Sequence, residues 1–160
     1  MKLAITIFLL VCSTCVFAKK KCNISKILLE DIRAFIDFEK QESPRLAVYN
    51  VYVLNIVKVD SIEKSIDIRM YSLDDTMEFY WHTFAPYYIK DSSEYVVICN
   101  SELLNDNLLS TLGFGKLDSA NKTAISGKLF SKGYISREGF WVAKIKLSCK
   151  QHSISMEYEG

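Results

Sequence analysis

The chain has 160 residues, with 20 Lys and Arg against 19 Asp and Glu. That near-neutral balance excludes an electrostatic footprint for nucleic acid or for an anionic membrane surface. The length sets one ordinary domain, able to bury about two-thirds of its unfolded surface without staples, and the few glycines and prolines exclude a fibrous or linker-rich chain.

Lys2 precedes an apolar run over residues 3–11, and Val16-Phe17-Ala18 ends in a small residue before Lys19-Lys20-Lys21. This is the layout of a cleavable secretory signal, too short and too polar at its end to span a bilayer well. The expectation is a signal peptide over residues 1–18, a single domain over 19–160, no transmembrane span after cleavage, and a secreted or periplasmic protein. Lipid anchoring through Cys12 or Cys15 is the rival, but neither cysteine follows the small-residue pattern wanted for it. Cys22, Cys99 and Cys149 lie beyond the cleavage point, so three pairings are open, each leaving one thiol over. One bridge closing a long loop would stabilise by about 3–4 kcal/mol in an oxidising compartment.

Residues 25–42 read as a helix: Leu28, Ile32, Phe35 and Ile36 share one face, Asn23 or Ser25 caps the start, and Pro44 stops it. Residues 46–59 alternate with both faces apolar, which predicts a central strand with Val51, Val53, Val57 and Val59 on one side and Tyr52, Leu54 and Ile56 on the other. A turn over residues 60–64 leads to a half-buried strand carrying Ile66, Ile68 and Met70, joined as an antiparallel hairpin. Strands follow near residues 77–81 and 94–99. Asn100 or Ser101 is expected to cap a short helix with Leu104, Leu108 and Leu112, closed by Gly113.

Residues 114–127 are polar without clear periodicity and read as a long surface loop, the length at which loops are usually functional or mobile. Residues 129–136 and 140–149 read as a strand pair around Arg137-Glu138-Gly139, with Trp141, Ala143, Ile145, Leu147 and Cys149 on one face. Ile154, Met156 and Tyr158 mark a last strand. The fold class is therefore α+β: an N-terminal helix packed on a mostly antiparallel sheet of about five to seven strands, with one further short helix. In outline it resembles cystatin-like helix-on-sheet domains, without their Gln-x-Val-x-Gly loop, so the likeness carries no function.

Chemistry-bearing motifs are sparse. Gly113-Phe114-Gly115 follows a helix instead of a strand and has Asp118 where a dinucleotide fingerprint needs its third glycine. No metal-ligand spacing and no cofactor motif occurs, so no cofactor is expected. Of the two histidines, His82 is the one a hydrolase would use, with Asp74 or Asp75 to orient it and Cys99 or a serine as nucleophile. Nothing in the spacing supports that set, and a solvent-side histidine near a strand end is the plainer reading.

The densest internal feature is aromatic: Tyr71, Phe79, Tyr80, Trp81, Phe84, Tyr87 and Tyr88 fall within eighteen residues. Alternation cannot bury them all, and exposed tyrosines are common interface anchors. Tyr80, Tyr87 and Tyr88 are the candidate binding residues, because Met77, Phe79 and Trp81 fit the buried side. The expected function is an exported, non-catalytic binding protein whose partner is another protein, of the kind that inhibits or confers immunity to an exported protein. The alternatives are a carrier of a small apolar ligand and, behind it, a hydrolase built on His82.

Overall fold

Asn23 starts the first helix: its side chain accepts a hydrogen bond from Lys26 N at 3.1 Å, satisfying one of the orphan donors of the first turn. Helix α1, Ile24–Glu42, buries Leu28, Ile32, Phe35 and Ile36 as its periodicity demands, together with Asp31 and Glu39. The protein is seen here in a computed structural model that describes residues 22–44, 51–73, 87–132 and 139–160. The expected signal over 1–18, the strand near 77–81, Tyr80 and His82 lie outside the described residues.

Among the described residues, seven strands form one sheet: β1 Tyr52–Asp60, β2 Ser65–Ser72, β3 Tyr87–Asp91, β4 Glu94–Cys99, β5 Gly115–Lys116, β6 Phe140–Leu147 and β7 Ser153–Glu159. Their order is β5-β3-β4-β1-β2-β6-β7, antiparallel throughout except where β1 runs parallel to β4. The architecture is α+β. β1 sits in the middle of the sheet, which is why both of its faces are apolar at its start. Helix α1 packs on one face over Tyr52, Leu54, Ile56, Ile68, Ala143, Ile145 and Leu147, the stripe expected to meet Leu28 and Ile32. Phe38 of α1 meets Trp141 edge-to-face at 4.8 Å between ring centroids.

The segment expected to be a loop over 114–127 is instead ordered structure. Helix α2, Asp106–Leu112, is capped by Asn105, whose side chain accepts from Leu108 N at 2.9 Å, not by Asn100 or Ser101, which lie in and before the short 3₁₀ turn Ser101–Leu103. Gly113, at φ 83°, ends α2 in the left-handed conformation that glycine adopts without strain. Phe114 is buried, β5 follows, and helix α3 spans Ser119–Lys132. Asp118 Oδ1 accepts from Asn121 N at 2.8 Å and holds the entry to α3. The helical period was hidden because α3 is polar on most sides and Ile125 is its one buried aliphatic among the described side chains. Residues 129–132 belong to α3 and not to the strand expected over 129–136, whose remaining residues 133–136 lie outside the described residues.

With Leu117, Ile125 covers a second, smaller core on the far side of the sheet, with Val51, Val53, Leu73, Tyr95 and Val97. Among the described residues, a helix covers the far side of the sheet at the β3-β4-β1 end. A disulfide joins Cys22 to Cys149, a sequence separation of 127 residues, and leaves Cys99 as a free thiol. Among the described residues, no helix is long and apolar enough to cross a membrane.

Candidate functional site

The β1–β2 hairpin departs from regular pairing at one point. Ile56 pairs with Ile68 and Lys58 with Asp67, so Val57 is an extra residue, a β-bulge. The bulge resets the alternation: Val59 joins Ile66 on the α1 side, not the side of Val51 and Val53, and Val57 turns outward, 51% exposed. Asn100, in a left-handed conformation at φ 56°, supports the spot from β4 by donating through Nδ2 to Asn55 Oδ1 at 2.8 Å and to Ile56 O at 3.3 Å.

The hairpin ends in a turn built around Asp60. Its Oδ1 accepts from Ile62 N at 3.0 Å and Glu63 N at 2.9 Å, and its Oδ2 from Lys58 Nζ at 3.1 Å. The Glu63 N–H, with Lys58 next, holds the Asp60 carboxyl below its ordinary value. The turn therefore has a fixed shape, and it carries Ile62 at its apex, 95% exposed.

Beside Val57 runs an open trough of about 340 Å³, lined by Val57, Asp67, Arg69, Lys144, Lys146, Ser153 and Ser155. Val57 gives the lining an aliphatic side chain, and Arg69, Lys144 and Lys146 bring methylene stems as well as charge. Lys146 Nζ donates to Glu63 Oε2 at 2.9 Å, while Lys144 pairs with Glu157 and Arg69 with Glu159. Glu63 pushes the Lys146 ammonium up, and Lys144 holds the Glu157 carboxyl down. Both signs alternate over the face, so it presents a mosaic and no strong field. Below it a second hollow, sharing Lys146, reaches Ser148, Lys150 and Gln151.

Two of the tyrosines expected to form a binding surface, Tyr87 and Tyr88, face opposite sides of the sheet. Both are half-buried: Tyr87 packs toward the α1 core, and Tyr88 toward the α3 core with its ring 6.3 Å from that of Tyr95. Tyr80 is outside the described residues. Cys99 also lies on the α3 side, and burial, with Glu102 adding to it, pushes its thiol up, the reverse of an activated nucleophile.

His152, the second histidine, touches Asp31, with Nε2 at 2.8 and 2.9 Å from the two carboxylate oxygens. Asp31 is 4% exposed, and burial pushes its carboxyl up while His152 pulls it part of the way back. This contact and the Cys22–Cys149 bridge tie the β6–β7 connection to the start of α1 and its entry, which makes the pair a clamp. Among the described residues, no three His, Cys, Asp or Glu side chains converge as metal ligands. No family model, no curated protein and no solved structure matches the chain.

Proposed function

We propose that this chain is an exported, non-catalytic protein-binding module that engages its partner with the far end of the β1–β2 hairpin and the trough beside it. The observation that carries the reading is the pair of outward aliphatics, Ile62 at 95% exposure and Val57 at 51%, on one hairpin whose turn is fixed by Asp60. A small apolar centre with a charged, hydrogen-bonding rim is the usual anatomy of a protein interface. An open trough suits a small-ligand carrier less, because such sites bury about 70–90% of the ligand. Export is supported by the layout of residues 1–18 and by the Cys22–Cys149 bridge, since disulfides persist in oxidising compartments. The partner that fits is an exported protein presenting an apolar socket for Ile62 ringed by charges of both signs, and blocking that partner's activity is the role this small module would serve.

Affinity capture from the source culture tests the reading, with the wild-type protein and an Ile62→Asp variant as parallel baits. The expected result is one stoichiometric protein held by the wild type and lost, by about thirtyfold or more in affinity, by a variant that melts at the wild-type temperature. Equal capture by both baits, or no stoichiometric protein partner, would contradict it.

A further inference from the structure

The two edges of the sheet are unlike. β5 is two residues long, as protected edges often are, whereas β7 runs for seven residues in unbroken register with β6 and contains neither proline nor lysine. Among the described residues, nothing pairs with the outer side of β7. Alternate N–H and C=O groups of such a strand point away from its neighbour and template another strand. We propose that β7 pairs antiparallel with β7 of a second copy of this chain, about a twofold axis at Met156, joining two seven-stranded sheets into one.

The register follows from the side chains. With Met156 opposite itself, all seven residues pair: Ile154 faces Tyr158 of the second copy, Ser153 faces Glu159 and Ser155 faces Glu157. The α1 side of the seam is then wholly apolar, continuing the half-buried Ile154 and Met156 and the 57% exposed Tyr158. On the other side each carboxylate meets a hydroxyl and keeps its own cation, Lys144 for Glu157 and Arg69 for Glu159. Centring the axis on residue 157 would set Glu157 against itself, and a one-residue slip would set the apolar row against the carboxylates.

The helices leave room for this. Helix α1 packs over β6, so the two copies of α1 would be separated by three strand spacings, about 14 Å, beyond the 8–10 Å of packed helices. Rings already stand at that gap: Trp141 meets Tyr158 at 5.3 Å, and Tyr158 lies so close over Gly139 that an added Cβ there would be 2.7 Å from its ring. The seam meets the trough at Ser153 and Ser155 and leaves Ile62 and Val57 outside it, and the self-association is read on the purified protein with no partner present.

Sedimentation equilibrium on the purified protein, alongside two charge variants, tests it. The wild type should reach twice its monomer mass. Ser155→Glu faces Lys144 within its own chain but Glu157 across the seam, twice by symmetry. It should weaken the dimer by about tenfold or more at an unchanged melting temperature. Ser155→Lys, facing Glu157 across the seam, should retain the dimer. Met156→Cys should cross-link between copies on oxidation, since directly opposed residues lie within disulfide reach. A wild type that stays monomeric at its highest soluble concentration would overturn the proposal. So would a dimer weakened equally by both charges, or one that does not cross-link through position 156.

Discussion

Arg33 and Asp91 make the best-formed exposed ion pair, with Nε and Nη2 donating to the two carboxylate oxygens at 2.7 and 3.0 Å and tying α1 to β3. The Arg33 guanidinium holds Asp91 below its ordinary 3.8, so the stability this pair contributes is present above that value and is lost as pH falls through the lower folded one. Asp31 has the opposite sign: its raised carboxyl contributes most below 3.8 and loses that contribution as pH rises through the folded value. Asp91→Asn should therefore be less stable than the wild type at pH 7 and should lose less stability on acidification below 3.8, read as denaturant midpoints across that range. An unchanged acid slope would show that the pair contributes nothing, as many surface pairs do. The residues of the candidate site were the least legible from the sequence. Nothing in the run Asn55-Ile56-Val57-Lys58-Val59 marks a bulge, because the extra residue is defined by its partner strand, and Ile62 stood in what read only as a turn. Tyr87 and Tyr88 were singled out by aromatic density, but successive residues of a strand point to opposite faces.

Among the elements, α1 was legible because its apolar stripe is wide, Asn23 caps it and Pro44 follows it. β1 was legible as central because its start is apolar on both faces, and β2 and β7 from plain alternation. Helix α3 was not, because Ile125 is the one buried aliphatic among its described side chains and its docking is shared with charges. Lys128 of α3 and Lys40 of α1 approach the buried Glu94 at 3.6 and 3.4 Å, so one carboxylate at the β3–β4 turn meets helices from both faces of the sheet. Long-range pairing of that kind leaves no periodic trace. Ile125→Ala should cost about 2–5 kcal/mol by denaturant titration, the range for a fully buried aliphatic. A loss under about 1 kcal/mol would mean that α3 is not held on the second face of the sheet.

For the whole molecule, α3 and the small second core cover, among the described residues, one end of the far side of the sheet. Beside the bulged end of β1, the trough opens on the outer face of β2, β6 and β7 at Asp67, Arg69, Lys144, Lys146, Ser153 and Ser155. Cys22 and Cys149, with His152 on Asp31, fasten the β6–β7 connection to α1, so the trough is carried on a braced sheet. The α+β class could be expected from periodicity alone, but the end of the sheet that α3 covers could not, because it depends on where α3 lands. The central claim is that the trough and the hairpin tip bind another protein. Amide hydrogen exchange on the captured complex, compared with the free protein, tests it most directly. Slowed exchange should concentrate on residues 57–64 and on β2 and β6 facing the trough, with α3 unchanged. Protection centred on α3 or on residues 74–86, with the hairpin exchanging as in the free protein, would contradict the account.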